Sequence, residues 1–526
     1  MEQFILTETL VIELLLVVSL VAIFVRRLRI PYTVALVIVG LMITFQQPLE
    51  FSLTPELILV LFVPPLVFEA AFHLNLSELQ RNLSSILLLA VPGVILTTLI
   101  VGVVIAWGTP LKLPVALVFG ALIAATDPVA VVALFRALGI PKRLLVLVEG
   151  ESLLNDGTAL VLFNIVLVIA LTGKFDALQG VTDFIRIAAG GTIIGLVLGW
   201  VISQIIQRID DYLIETTLTT VLAFGSYLLA DRLHFSGVLA VVAAGLVNGN
   251  IGPQGMSPTT RIVLFNFWEY VAFLANSLVF LLIGLQVNLP SLLAAWQPIL
   301  WAIGAVLVAR LVVVYGLGWI TNRFENPVPI PWQHVLAWGG LRGAISLALV
   351  LSLPVAMGPD QDLLKLMAFG VVLFTLLVQG TTMGPLLRRL RIVTRDQAQE
   401  EYETRHARLV ALRASSEHLD HMHRDGLISM HVWEVLKPEM NQRATALTDA
   451  VRQVLRTDPA LQAEELDTAK REVLRAQRSA LLGLRRDGVI SDEVFEKLSV
   501  EIDAVLVAGE STVSTLPPSD QPTAGV

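Results

Sequence analysis

Apolar runs of about 18 residues or more recur from the N-terminus to about residue 390, each long enough to cross a bilayer as a helix. Their centres fall near residues 17, 39, 63, 95, 125, 160, 195, 222, 242, 275, 307, 343 and 376, so the pattern predicts roughly thirteen spans. The segments around 39, 222 and 242 are short. The strands of a membrane barrel would alternate apolar and polar residues, and these runs do not. The fold class expected is therefore an all-α polytopic membrane protein. Beyond about residue 395 the pattern changes to that of soluble amphipathic helices. The division predicted is a membrane domain over 1–392, a helical cytoplasmic domain over 393–508, and a disordered end over 509–526, rich in Ser, Thr and Pro.

Composition agrees with the pattern. The 526 residues are 55% hydrophobic and 15% charged, against about 25% charged in soluble proteins. The mean hydropathy is +0.75. The formal net charge of −8 hides an asymmetry. Much of the acidity lies in the tail, while the basic residues of the membrane part cluster in alternate loops. Starting outside, the inner loops carry Arg26, Arg27, Arg29, Arg81, Arg136, Lys142, Arg143, Arg208, Arg261 and Arg323, with Arg388, Arg389 and Arg391 after the last span. The outer loops carry fewer, among them Lys112, Lys174, Arg186 and Arg232. By the positive-inside rule the N-terminus is outside and the tail cytoplasmic, which requires an odd number of spans. The first apolar run follows Glu2 and Glu8 and precedes its arginines, the reverse of a cleavable signal. Nothing in the composition supports nucleic-acid binding. There are no cysteines, which excludes disulfides, thiolate metal sites and a cysteine nucleophile.

The tail holds an internal repeat about 62 residues apart. Arg424-Asp425-Gly426-Leu427-Ile428-Ser429 returns as Arg486-Asp487-Gly488-Val489-Ile490-Ser491. Glycine suits the left-handed stop of one helix and serine the cap of the next, so each copy reads as a turn between two helices.

Carboxylates in the apolar runs are the candidate chemistry. One near mid-bilayer costs roughly 2.5–3.5 kcal/mol on the mildest scale, so it is tolerated mainly beside water, a partner or an ion. Asp127 lies in the fifth run and Asp156 in the sixth. On a helix, Ser152 and Asp156 share a face one turn apart, with Glu149 a further turn back and Asn155 beside it. Glu151 and Asn155 form a second stripe. Together these are the hard oxygens that suit a small cation. Pro128 has no N–H and frees the Ala124 carbonyl, so Thr126 and the backbone around it could add further oxygen. Glu69 in the third run is another candidate.

Two spans look interrupted, the fifth at Ala124–Pro128 and the twelfth at Gly339–Gly343, where three glycines surround Arg342. Broken spans in corresponding halves point to a secondary transporter with inverted repeats. Arg342 needs an anion, and Glu151 is the expected partner in a structural pair. Arg310 has no obvious partner, and packing or snorkelling is its default. His73, His234 and His334 sit at span ends, without metal-type spacing.

Three strings carry a resemblance: Ala125-Thr126-Asp127-Pro128-Val129-Ala130-Val131, Glu149-Gly150-Glu151-Ser152-Leu153-Leu154-Asn155-Asp156, and Gly340-Leu341-Arg342-Gly343-Ala344. They closely resemble the Na⁺/H⁺ exchangers of the cation–proton antiporter superfamily, in the electroneutral NhaP/NHE-type branch. Pro64-Pro65 through Glu69 is similar to that branch too. The resemblance covers about residues 10–390. It implies thirteen spans, a six-helix core, a dimerisation domain and a homodimer in the plasma (inner) membrane. It implies a Na⁺ site at Asp156, Asp127, Glu69, Ser152 and Thr126, with Asn155 holding Glu69 and with Glu151 and Arg342 as the structural pair. The Asn155-Asp156 pair, where electrogenic relatives carry two aspartates, implies exchange of one Na⁺ for one H⁺. The substrates implied are Na⁺, Li⁺ and H⁺, with no cofactor and no enzymatic activity.

Other classes compete. A K⁺/H⁺ antiporter would use the same scaffold. An intramembrane aspartyl protease would use Asp127 and Asp156 as a dyad, but such enzymes usually show Gly-x-Gly-Asp, and here Asp127 follows Ala-Ala-Thr. A receptor or a structural bundle has no need of several buried acids.

Overall fold

Within a bilayer every backbone N–H and C=O must find its partner inside the protein, and a helix satisfies this locally. The computed structural model describes residues 2–28, 32–46, 57–174, 176–209, 211–254, 256, 258–286, 288–323, 327–392, 397–457, 459–486 and 488–507. Among these, the elements are all helical. In chain order they are α1 (Glu2–Leu28), α2 (Tyr32–Gln46), α3 (Val63–His73), α4 (Leu76–Arg81), α5 (Leu83–Ala90), α6 (Pro92–Gly108), α7 (Leu113–Ala124), α8 (Val129–Leu138), α9 (Lys142–Thr172) and α10 (Ala177–Ile206). They continue as α11 (Tyr212–Arg232), α12 (Gly237–Ile251), α13 (Pro258–Gln286), α14 (Leu289–Ala294), α15 (Trp296–Thr321), α16 (Ile330–Trp338), α17 (Ala344–Leu351), α18 (Pro359–Phe374) and α19 (Thr381–Arg389). Eight helical stretches are long and apolar enough to cross a membrane, and four shorter apolar ones accompany them, among the described residues. Helix occupies or flanks every centre read from the hydropathy pattern, and those at 125 and 343 fall in gaps between helices.

The apolar helices pack as two bundles. In the first, α7 lies against α6 and α9, α6 against α15, α5 against α9, and α15 against α18. In the second, α12 lies against α3, α10 and α11, and α13 against α2, α3 and α11. Lipid gives helices no hydrophobic reason to associate, so contact depends on close backbone approach. Gly191 on α10 faces Ser236, just before α12, and Gly195 and Gly199 face Ala240 and Ala244 on it. A Cβ at Gly195 would sit 2.1 Å from the Ala240 carbonyl oxygen.

The two gaps, 125–128 between α7 and α8 and 339–343 between α16 and α17, meet. The Asp127 N–H donates to the Leu341 carbonyl at 2.8 Å. Ser346 Oγ donates to the Ala125 carbonyl at 3.4 Å. Backbone that leaves the helix needs other partners, and here each irregular stretch supplies them to the other.

The described residues between 397 and 507 form a separate compact unit. It contains α20 (Gln397–Arg424), α21 (Met430–Thr457), α22 (Pro459–Arg486) and α23 (Asp492–Val507). Gly426 and Gly488, at φ +71° and +70°, make the left-handed stops of the repeat. Ser429 and Ser491 cap the helices that follow, each accepting an N–H at 3.4 Å. Asp420 accepts hydrogen bonds from Lys437 and Trp433, which hold its carboxyl below the usual range. The end expected to be disordered lies outside the described residues.

Candidate functional site

Helix α9 carries most of the site. Glu151, Ser152, Asn155 and Asp156 are all buried along it. The gap after α7 brings Thr126 and Asp127 against this face. Thr126 Oγ1 and Ser152 Oγ lie 3.0 Å apart, and Asn155 Nδ2 donates to Thr126 Oγ1 at 3.1 Å. Asp127 accepts the Val129 N–H at 2.9 Å, at the start of α8. Gly343, just before α17, touches it from the other side, so two helix N-termini converge on this carboxylate. Helix N-termini favour anions. The opposite ends of the gaps, at Ala124 and Trp338, are helix C-termini, whose dipoles favour cations. Asp156 lies in the field of Asp127, Arg342 and Glu151.

A cavity of about 60 Å³ adjoins Asp156, Asp127 and Thr126, with Ser346 at its wall. Residues of α3 and Asn276 of α13 close it from the second bundle. A larger cavity of about 770 Å³ lies alongside, lined by Glu69, Glu149, Glu269, Arg136 and Arg388. Leu66, Ala70, Pro128, Val129 and Asn276 border both.

The structure thus gathers Asp156, Asp127, Thr126 and Ser152 and sets Glu69 apart, in the larger cavity. Asn155 makes no hydrogen bond to Glu69: its face of α9 turns to the 125–128 gap, Nδ2 donates to Thr126 Oγ1, and Oδ1 has no partner. Glu69 is approached instead by His73, one turn further along α3, at 3.3 Å. Glu149 is buried and pairs with Arg136 at 2.9 Å.

The expected Glu151–Arg342 pair is also corrected. Glu151 is bound through both oxygens by Arg310, at 2.5 and 2.9 Å. The break in the twelfth span explains the exchange of partners. Near its C-terminal end α16 has carbonyls without helical partners, and Arg310 on neighbouring α15 donates Nε to one of them, Leu336, at 3.2 Å. From there its fork meets Glu151 bidentately. Arg342 turns back to the Gly340 carbonyl at 2.9 Å, and its Nε has no partner. Neither snorkelling nor simple packing describes Arg310. Asn276, Ser346 and Glu269 were also missed; each is a polar residue in an apolar span, which was the signal available.

Residues 14–389 match the family model described as sodium/hydrogen exchanger, transmembrane. The chain is 40% identical over 471 residues to the Na⁺/H⁺ antiporter ApNhaP of Aphanothece halophytica, covering 89% of this chain and 90% of that one. It is 40% identical over 486 residues to the Na⁺/H⁺ antiporter NhaG of Bacillus atrophaeus, covering 90% and 92%. Among solved structures, the sodium proton antiporter MjNhaP1 of Methanocaldococcus jannaschii at pH 8 has the same fold, with a TM-score of 0.62 at 24% identity over 74% of this chain and 99% of that one. The chain is an integral multi-pass membrane protein and belongs to the sodium/hydrogen exchanger family.

Proposed function

We propose that this protein exchanges one Na⁺ for one H⁺ across a membrane, with Li⁺ as a second substrate, by competition at Asp156. Asp127, Thr126 and Ser152 complete the ion site, and Glu69 serves the approach to it through the larger cavity. The reading places the protein in the plasma membrane as a homodimer, with its tail in the cytoplasm on the positive-inside argument.

The observation that carries the reading is the Asp156 carboxyl, buried where two interrupted helices cross and open to a cavity of about 60 Å³. Glu151 is neutralised by Arg310. Asp156 has no such direct ion pair among the described residues. An uncompensated buried charge is costly, so the carboxylate is discharged by a proton or by a sodium ion, and not by both. If only the discharged forms reorient, each inward passage of one ion is matched by an outward passage of the other.

The test is the apparent KM for Na⁺ in proteoliposomes across pH. It is expected to fall as pH rises, and to level off once protons no longer compete. A KM independent of pH would refute competition, and flux driven by K⁺ but not Na⁺ would favour K⁺/H⁺ exchange. Clamping the membrane potential should leave the rate unchanged if the exchange is one for one.

The gap around Gly343 gives a second expectation. A Cβ there would lie 2.0 Å from Asp127 Oδ2. Overpacking of this kind costs about 1–3 kcal/mol. Gly343→Ala is expected to lower exchange about tenfold or more by moving the Asp127 carboxyl, which corresponds to about 1.4 kcal/mol. Gly304→Ala, where nothing lies within 4 Å, is the control. Equal rates in both variants would show that the Asp127 position is unimportant.

A further inference from the structure

We propose that Asn276 supplies a cation ligand from the second bundle and sets how tightly the ion is captured on its way to Asp156. The proposal rests on the exchange reading above.

Asn276 lies on α13 and is 8% exposed. It borders both cavities, the one lined by Glu69 and the one lined by Asp156. The other four shared residues, Leu66, Ala70, Pro128 and Val129, are apolar. Around the smaller cavity, the rest of the second bundle's contribution is Val63, Leu66, Val67 and Ala70. Asn276 is therefore its one polar side chain there, facing the carboxylates and hydroxyls of the first bundle.

No protein hydrogen bond is seen for its amide among the described residues, and it faces the cavities. The residue as a whole is nearly buried, so the cavities are where its amide meets a partner. The next residue shows the contrast. Ser277 Oγ donates to the Phe273 carbonyl and accepts the Tyr32 hydroxyl at 3.0 Å, which fixes α13 against α2. The backbone beside Asn276 is thus anchored, while its side chain is free to turn its carbonyl oxygen toward a passing ion. That oxygen is hard and neutral, suited to a small monovalent cation that has shed part of its water. Being neutral, it does not change how many charges Asp156 must balance. Its loss should weaken cation capture without altering the competition with protons.

Asn276→Ala and Asn276→Ser, beside the wild type, would be measured in proteoliposomes for Na⁺ KM and Vmax across pH. Na⁺-dependent thermal stabilisation of the full chain in detergent would be measured alongside, since it reports binding without transport. Asn276→Ala is expected to raise the Na⁺ KM, and the Na⁺ concentration giving half-maximal stabilisation, about five- to tenfold, the worth of one such contact. The rise in KM should exceed any fall in Vmax. The pH at which KM levels off should not move. Asn276→Ser, which keeps an oxygen, should recover part of the affinity. Unchanged Na⁺ affinity by both measures would overturn the proposal, as would a lower Vmax with the wild-type KM. A wild type without Na⁺-driven proton movement would overturn the exchange reading itself, whatever the variants do.

Discussion

Asp156→Asn is expected to abolish Na⁺-driven proton movement in vesicles, to the level of empty liposomes. Asparagine has the shape of the protonated acid but can neither release a proton nor balance a sodium ion. The variant is thus held in one of the discharged forms. It should fold well, because replacing a buried charge by a neutral amide removes a desolvation cost. Size-exclusion behaviour and thermal melting at wild-type values would separate lost exchange from lost structure. Retained exchange in a folded Asp156→Asn variant would end the assignment of this residue.

Breaking the pair between Glu151 and Arg310 is expected to have the largest effect on stability. Both side chains are buried and the contact is bidentate. Removing one partner strands the other charge, at a cost of about 3–5 kcal/mol. Glu151→Gln and Arg310→Gln should each destabilise the protein by that order, and the double variant by clearly less than the sum. The same cycle with Arg342→Gln should show weaker coupling to Glu151, because Arg342 hydrogen-bonds the Gly340 carbonyl instead. Unfolding in detergent, by denaturant or heat, would measure both cycles. Stronger coupling to Arg342 than to Arg310 would show that Arg342 is the partner of Glu151.

These residues show how far the sequence could be read. Helices were legible because runs of apolar residues long enough to span a bilayer have few alternatives. Asp127 and Asp156 were legible because a carboxylate in such a run needs a reason. What failed was pairing. Glu151, Arg310 and Arg342 announce one anion and two cations, but which meet depends on how α15 lies against the end of α16. That is a tertiary fact with no local signature. Asn155 failed the same way. Its position on α9 was correct, yet the gap at 125–128 brings Thr126 closer to its amide than Glu69. Asn276 gave only a faint signal, one amide in a long apolar helix, and its place between two cavities appears only once α13 meets α3 and the 125–129 stretch.

The link from Asp127 N–H to the Leu341 carbonyl joins the two irregular stretches through main-chain atoms alone. No point substitution short of proline at 127 removes either of its atoms, although the Leu341 side chain is itself buried and held by packing. An insertion or deletion of a single codon in either stretch would shift the register and unfasten it. At this spot the side chains answer for the ion site and the close packing, and the length of the gene alone answers for the joint.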